Sequence, residues 1–351
     1  MAGYRANLNF SEDYLVTNKT MDSFEKIREM VHRLTGFVNV DRIQEGYSDE
    51  QKYVLSLQSG EKRLLRITSQ ADDATICRKQ TEFNVIGDLR HYSDKIPKTQ
   101  CFGTSKDNTL CFMVLHFIEG MNAEECLPDL SNDIQYSIGV AAGEELKRMH
   151  AMKAPAWYPG WHEVKTRKHS YYLRSLDECT TMPHGVDPDT IQAYIESGMD
   201  LMRNVESTFQ HDDYHPGNII IQNGSFAGVI DFNRYDWGDP IHDFYKVAHF
   251  SRNVSVPFSA GQIDGYFGGC IPNSFWRRYA LYVAMSIVAD SVWSYRYSIR
   301  TGTTDQIERS QKTIQTIWRD HDGFESDVPL WYLEFGENQR TYYRDDHPIT
   351  I

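Results

Sequence analysis

The sequence lacks the features that mark membrane, secreted and zinc-binding proteins. No run reaches the roughly 18 apolar residues of a membrane-spanning helix, and residues 1–10 contain no apolar stretch typical of a secretory signal. The six cysteines include no Cys-x-x-Cys pair and no spacing typical of a zinc site. We therefore expect a cytoplasmic protein whose thiols are reduced and mostly buried.

Positive charge is also scarce. The 36 Lys and Arg residues face 49 Asp and Glu residues, which gives a formal net charge of −13. A chain of this sign repels phosphate backbones and anionic lipids, so the sequence predicts neither a nucleic-acid nor a membrane partner. A cationic or metal-bound substrate is compatible with this charge.

The patterns that are present predict a small α+β half followed by a larger helical half. In this 351-residue chain, residues 52–57 and 63–68 alternate as strands around a Ser-Gly-Glu turn, which indicates a hairpin. A strand is also predicted at 110–117. Helices are predicted at residues 21–35, 74–91, 133–152, 189–205, 241–250, 262–267, 274–297 and 304–319.

The most informative segment is His-Asp-Asp-Tyr-His-Pro-Gly-Asn at residues 211–218. We predict a loop, because Pro216-Gly217 interrupts any helix. Asn218 follows Asp213 by five residues, and Asp231 comes 13 residues later, after a hairpin with an Asn-Gly turn. Phosphoryl transfer from a nucleotide requires a carboxylate for the substrate hydroxyl and oxygen ligands for Mg²⁺. This order of residues supplies both.

The two histidines of the segment leave an alternative open. A pair at positions i and i+4 can bind one zinc ion when both lie on a helix. Since the Pro-Gly pair argues against a helix, we expect His211 and His215 to hydrogen-bond the loop backbone instead.

The segment resembles the catalytic loop of the aminoglycoside phosphotransferase family, His-Gly-Asp-x-His-x-x-Asn. The Gly-Asp-Pro-x-x-Asp sequence at 238–243 also matches that family. The resemblance implies a kinase-like bilobal α+β fold, with a small antiparallel-sheet lobe at 1–117 and a larger, mainly helical lobe at 118–351. It implies that Asp213 is the catalytic carboxylate and that Asn218 and Asp231 bind Mg²⁺. Asp212 departs from the pattern, because the family usually has glycine there.

The resemblance also assigns five residues to nucleotide binding. Ser48 belongs to a one-glycine loop at 45–48 that resembles a phosphate-covering loop, although the same residues could form a plain turn. Arg66 stands where the family usually has Lys, and it would pair with Glu82 on the next helix. A surface arginine and a solvated helix face are the alternatives for these two. His116 and Ile118 belong to a hinge that would hold the adenine base through backbone groups.

Together these assignments predict an enzyme that transfers the γ-phosphate of ATP or GTP, with Mg²⁺, to a hydroxyl group of a small molecule. No Ala-Pro-Glu sequence follows Asp231, which argues against protein substrates. The acidic balance and the resemblance favour a cationic, aminoglycoside-like aminosugar. Macrolides, homoserine, choline, sugars and a nucleotide-binding pseudokinase are the alternatives. Acids that could bind ammonium groups are Asp243, Asp264, Asp290, Asp320, Asp322, Glu325 and Asp327.

Overall fold

The computed structural model describes residues 23–44, 50–176, 179 and 182–337. The chain divides into two compact units. The N-terminal unit extends to Arg78 and takes in Gln100–Val114, whereas the C-terminal unit comprises Lys79–Thr99 and the chain from Leu115 onward. The lobe boundary between residues 117 and 118 stays a prediction from the sequence.

The described ranges contain both strands and helices. The β-strands are β1 (Phe37–Ile43), β2 (Gln51–Leu57), β3 (Lys62–Ser69), β4 (Thr99–Thr104), β5 (Leu110–His116), β6 (Met121–Asn122), β7 (Thr208–Gln210), β8 (Ile219–Gln222), β9 (Ser225–Val229) and β10 (Asp236–Gly238). The α-helices are α1 (Ser23–Thr35), α2 (Asp73–Leu89), α3 (Ala123–Cys126), α4 (Asn132–Met149), α5 (Trp161–Leu176), α6 (Pro188–Gly198), α7 (Arg252–Val254), α8 (Val256–Phe267), α9 (Asn273–Thr301) and α10 (Asp305–Asp320).

The N-terminal unit is built on a five-stranded sheet with the order β1-β2-β3-β5-β4. The pairs β1/β2 and β2/β3 are antiparallel, so the predicted hairpin is confirmed. On α1, Phe24, Ile27 and Val31 recur on one face and are buried in the same cluster as Leu55 and Leu65 of the sheet. Burial of this apolar face stabilises both the helix and the sheet, since a single sheet cannot bury both of its own faces.

In the C-terminal unit, α4 and α8 cross with their backbones in direct contact. Gly139 and Gly143 of α4 face α8, and a Cβ atom at Gly143 would lie only 2.0 Å from the carbonyl oxygen of Gln262. From the other side, a Cβ atom at Gly265 would lie 2.2 Å from the carbonyl oxygen of Val140. Any larger residue at these positions would force the helices apart, so the crossing depends on glycine.

The hairpin formed by β8 and β9 positions two of the predicted site residues. Its two-residue turn, Asn223-Gly224, has φ angles of 53° and 70°, both positive, as a tight hairpin turn requires. The register pairs Ile219 with Val229, and the Ile230 N–H donates to the Asn218 carbonyl oxygen at 2.9 Å. Asp231 therefore directly follows the end of the hairpin and lies close in space to the catalytic loop that precedes β8.

The fold class predicted from the sequence is confirmed, with an antiparallel sheet before a mainly helical region. Several local features differ from the sequence predictions. Helix α5 was not predicted, because its apolar positions are few and charged residues interrupt them. Strands β7 and β10 were not predicted either. The helix predicted at 241–250 is a 3₁₀ helix, Pro240–Phe244, followed by a π-helix, Val247–Ser251.

All six cysteines lie in the described ranges, and none of them is in a disulfide bond. The prediction of mostly buried thiols is wrong, because only Cys111 is buried, while Cys77 and Cys270 are exposed. Among the residues that the structure describes, no helix has both the length and the apolar character needed to cross a membrane.

Candidate active site

The catalytic loop is held in place by a buried carboxylate. The side chain of Asp243, which is fully buried, accepts the backbone N–H of His211 at 2.8 Å and that of Asp212 at 2.7 Å. Its Oδ2 also lies 3.0 Å from Nε2 of His150. A carboxylate with these partners fixes the backbone just before Asp213. The last residue of the Gly-Asp-Pro-x-x-Asp motif is therefore structural, and it is not available to bind an ammonium group.

Asp212 occupies a backbone conformation that favours glycine. Its φ angle is 57°, in the left-handed region, where Asp is one of the few side chains tolerated. This geometry explains why the related motif has glycine at the position. The Asp212 side chain is buried, and its oxygens lie 3.9 Å from Nη2 of Arg234 and 3.4 Å from Nδ1 of His242.

Asp213 lies at the centre of the site and remains partly accessible, with 22% of its side chain exposed. Nζ of Lys246 lies 2.6 Å from its Oδ1, and Nδ2 of Asn218 lies 3.3 Å from its Oδ2. Burial raises the pKa of Asp213, but the ring of His215, whose Nε2 lies 3.8 Å from Oδ1, and the charges of Lys246 and Arg234 outweigh it and hold the pKa well below its ordinary value. Asp213 is therefore a carboxylate at every physiological pH.

The side chains of Asn218 and Asp231 have the chemistry of a Mg²⁺ site. Nδ2 of Asn218 donates to the main-chain oxygen of Asp213 at 3.0 Å, which turns the amide oxygen away from Asp213. Asp231 has a left-handed conformation with φ 65° and ψ 68°, and it directly precedes the 3₁₀ helix Phe232–Arg234. An amide oxygen and a carboxylate are hard ligands that suit Mg²⁺, so the residues present fit this ion.

The two histidines of the loop bind the backbone, as the sequence predicts. Nε2 of His211 lies 3.0 Å from the carbonyl oxygen of Ile230, and Nδ1 of His215 accepts the N–H of Gly217 at 3.2 Å. The ring of His215 also stacks on Phe250, with centroids 4.6 Å apart. His211 thereby connects the catalytic loop to the end of the hairpin, and both rings have structural partners in place of a shared zinc ion.

Helix α5 brings two lysines, Lys165 and Lys168, near Asp212. Nζ of Lys165 lies 2.6 Å from Nε2 of His242. Burial, followed by the charge of Lys168, lowers the pKa of Lys165 to about 7. Attraction to Asp212 raises the pKa of Lys168. The sequence analysis missed this cluster because it did not predict α5, although Lys165 and Lys168 are spaced i, i+3 and so share a helix face.

The low pKa of Lys165 predicts how stability depends on pH. Its pKa falls from 10.5 in the unfolded chain to about 7 in the folded one, so between these values the unfolded chain binds more protons. The free energy of unfolding of the wild type, relative to a Lys165→Met variant, should therefore rise with pH from about 7 to 10, by at most about 1.4 kcal/mol per pH unit. Urea unfolding at pH 7, 8.5 and 10 measures this difference.

The titratable groups facing Lys165 are present in both proteins of that comparison, and they include Lys168, His169, Asp212, Asp236 and His242. Lys153→Met is the matched control, since this lysine is exposed and paired with Glu206, and its difference from wild type should not change with pH. A Lys165→Met difference that is equally flat would show that Lys165 is charged throughout the range.

Two of the residues predicted to bind nucleotide are buried in ion pairs. Nη2 of Arg66 lies 2.5 Å from Oε2 of Glu50, and only 4% of its side chain is exposed. Oε2 of Glu82 accepts Nζ of Lys79 at 2.8 Å, and only 3% of its side chain is exposed. The alternatives of a surface arginine and a solvated helix face are therefore wrong. The predicted pairing of Arg66 with Glu82 stays a prediction.

Of the other residues predicted to bind nucleotide, the structure describes His116 and Ile118. The backbone N–H of His116 donates to the carbonyl oxygen of Lys98 at 2.8 Å. The side chain of Ile118 packs against Gly228 of β9, where a Cβ atom would come within 2.8 Å of it. Ile118 therefore contacts the hairpin that leads to Asp231. Ser48 lies outside the described residues.

A model of the phosphotransferase enzyme family matches residues 39–282, well over half of the chain. No curated protein matches.

Solved structures resemble the fold at low sequence identity. The macrolide 2′-phosphotransferase MphH of Brachybacterium faecium is 14% identical, with a TM-score of 0.58 over 83% of this chain and 97% of its own. Aminoglycoside 2′-phosphotransferase-IIIa, solved with GDP, is 12% identical, with a TM-score of 0.60 over 84% and 96%. APH(2″)-IIa, solved with streptomycin and ATP, is 17% identical, with a TM-score of 0.55 over 85% and 97%. At such identities the likeness shows the fold alone.

Proposed function

Because the chain belongs to the phosphotransferase enzyme family, as its motifs predict, we propose that it transfers the γ-phosphate of ATP or GTP to a hydroxyl group of an aminoglycoside-like aminosugar. The coarser part of this statement, a small-molecule phosphotransferase, follows from the family. The donor, the Mg²⁺ ion and the acceptor are the proposed parts. The observation that carries them is the arrangement around Asp213.

Asp213 is the group we assign to the acceptor. Its carboxylate is accessible and held in one orientation by Asn218 and Lys246, so an acceptor hydroxyl can donate to it directly. Because its pKa is depressed, Asp213 aligns the hydroxyl and takes up the proton only as the new P–O bond forms. Positioning of the nucleophile is the larger part of catalysis in phosphoryl transfer.

Asn218 and Asp231 are the residues we assign to Mg²⁺. When bound, the ion neutralises charge on the triphosphate. The contribution of this chain is the hairpin, whose register places Asp231 beside the end of the catalytic loop. Ser48, Arg66, Glu82, His116 and Ile118 are proposed to bind the nucleotide, as the family resemblance implies.

Support for a cationic acceptor comes from the net charge of −13 and from a structural relative that was solved with streptomycin. It does not come from the acids that the sequence suggested in the helical region. Asp264 accepts two tyrosine hydroxyls, Asp320 pairs with Arg252, and Asp290 accepts Ser310. These carboxylates already have partners within the fold.

One observation favours a second candidate, an acceptor that is neutral or carries an anionic group. Arg234 and Lys168 lie near Asp212, which directly precedes the catalytic carboxylate. Cations at this place would repel an ammonium group and attract a carboxylate or phosphate. The structural relative from Brachybacterium faecium, whose name describes a macrolide phosphotransferase, is consistent with acceptors other than aminoglycosides in this fold.

A panel of acceptors distinguishes the two candidates. Nucleoside diphosphate release would be measured with aminoglycosides, macrolides, choline, homoserine and sugars, each with ATP and with GTP. For a cationic acceptor, kcat/KM should fall steeply as ionic strength rises from about 0.01 M to 0.15 M, since the Debye length shrinks from about 30 Å to about 8 Å. A best acceptor that is neutral or anionic would contradict the aminosugar, and no turnover with any hydroxyl compound would contradict phosphotransfer.

Two further parts of the proposal concern context. The protein is proposed to reside in the reducing cytoplasm, and six cysteines outside any disulfide bond support this location. If the acceptor is an aminoglycoside antibiotic, phosphorylation would make the enzyme a resistance factor. Expression in a susceptible bacterium, with the minimal inhibitory concentration as readout and an Asp213→Ala variant as control, tests that role.

A further inference from the structure

Lys246 is a buried cation in direct contact with the catalytic carboxylate, and neither the motifs nor the sequence analysis identified it. Nζ of Lys246 lies 2.6 Å from Oδ1 of Asp213, and only 6% of the lysine side chain is exposed. The ring centroids of Phe250 and Tyr245 lie 4.9 Å and 5.1 Å from Nζ. One carboxylate and two ring faces hold the ammonium group at a single place.

The local backbone is built around this contact. Lys246 directly precedes the π-helix Val247–Ser251, and π-helical turns are rare and concentrated at functional sites. The same turn carries Phe250, whose ring stacks on His215 of the catalytic loop. The π-helix therefore places two side chains, Lys246 and Phe250, against the loop that carries Asp213.

Lys246 must lie close to the reacting atoms when a substrate is bound. A hydroxyl that donates to Oδ1 of Asp213 shares that oxygen with Nζ of Lys246. Since each contact is about 2.6 to 3 Å long, the hydroxyl oxygen and Nζ are at most about 6 Å apart. Within that distance, one of the three outer oxygens of the phosphoryl group that attaches to the hydroxyl can accept a hydrogen bond from Nζ.

The charge at this place is also suited to the reaction. In the transition state of phosphoryl transfer, negative charge is spread over the three outer oxygens of the transferred group. A fixed and buried ammonium group stabilises such charge more than one in solution does. Lysine is a compact point charge that binds a phosphate oxygen without requiring the planar geometry of arginine.

We propose that Lys246 is a catalytic residue that donates a hydrogen bond to an outer oxygen of the transferred phosphoryl group. This inference rests on the proposed function. In the step, the acceptor oxygen forms a bond to the γ-phosphorus, and the bond from that phosphorus to the β,γ-bridging oxygen breaks. The hydroxyl proton passes to Asp213 and then to water, the nucleoside diphosphate leaves, and Lys246 keeps its own protons throughout.

The test uses the full chain and two measurements, turnover with the best acceptor of the panel and hydrolysis of ATP or GTP with water as the acceptor. Lys246→Met is expected to lower kcat by about 100- to 1,000-fold. Lys246→Arg, which keeps the charge, should retain more activity than Lys246→Met. Lys153→Met, an exposed lysine paired with Glu206, should behave as wild type. If a thermal melting curve shows that Lys246→Met is not folded, Lys246→Gln takes its place.

A double variant separates contact with the phosphoryl group from positioning of Asp213. In an Asp213→Asn background, Lys246→Met should lower the remaining nucleotide hydrolysis by at least a further tenfold, because Lys246 acts on the transferred group itself. No further loss in that background would mean that Lys246 acts only through Asp213, and it would overturn the proposal. Wild-type turnover in Lys246→Met would do the same. A wild type that neither hydrolyses nucleotide nor phosphorylates any acceptor would instead overturn the proposed function.

Discussion

Turnover of an Asp213→Ala variant is expected to fall at least about 100-fold, the lower range for loss of a group that handles the substrate proton. Asp213 contacts the acceptor hydroxyl in the proposed arrangement, while the nucleotide depends on other residues. The dissociation constant for ATP or GTP with Mg²⁺ should therefore stay near the wild-type value. Steady-state kinetics and calorimetric titration of the nucleotide check the two parts separately.

Two variants make the Asp213 result specific. Asp213→Asn keeps the size of the side chain and should lose activity as the alanine variant does, since an amide cannot take up the proton. Asp200→Ala removes an exposed carboxylate that pairs with Arg203, and it should be fully active. If Asp213→Ala turned over at the wild-type rate, the assignment of the catalytic loop would be wrong.

The second large effect is expected at Asp231. Asp231→Ala should raise the Mg²⁺ concentration needed for half-maximal activity by more than 10-fold. Loss of a residue that only supports a metal ligand typically lowers metal affinity 10- to 100-fold, and loss of the ligand itself should cost at least as much. Asn218→Ala should shift the requirement less, since a neutral amide contributes less attraction than a carboxylate. A Mg²⁺ titration of activity at fixed nucleotide concentration measures both shifts.

The control for this titration is Asp189→Ala, an exposed acid in the first turn of α6, whose Mg²⁺ requirement should match wild type. Asp231→Glu should recover part of the affinity, since it restores a carboxylate ligand. An unchanged Mg²⁺ requirement in both Asn218→Ala and Asp231→Ala would rule out their assignment as metal ligands.

The hairpin and the catalytic loop could be predicted from the sequence because their signals are local. Asn223-Gly224 specifies a two-residue turn whose register follows from its geometry. Pro216-Gly217 excludes a longer helix from the loop, which contains the short 3₁₀ helix Pro216–Asn218. The cap on the 3₁₀ helix Pro240–Phe244 is also a local feature, since Asp239 directly precedes Pro240 and accepts the N–H of Ile241 at 2.9 Å.

The backbone after that cap could not be predicted, because a helical sequence does not distinguish α, 3₁₀ and π geometry. The choice depends on contacts with distant residues. Asp243 must accept two backbone N–H groups of the catalytic loop, and Phe250 must stack on His215. An α-helix would rotate these side chains by a different angle per residue, so the tertiary contacts decide the local geometry.

The sequence alone led to the chemistry proposed for this protein: a catalytic carboxylate at 213, metal ligands at 218 and 231, and the hairpin between them. Spacing along the chain carries that information, since each signal spans only a few residues. Only the tertiary structure decided the charges around the carboxylate. Lys246 and Lys165 lie 33 and 48 residues from Asp213 in the chain, and lysines elsewhere on the surface look the same in sequence. Burial and proximity, which folding alone creates, make these two lysines part of the site.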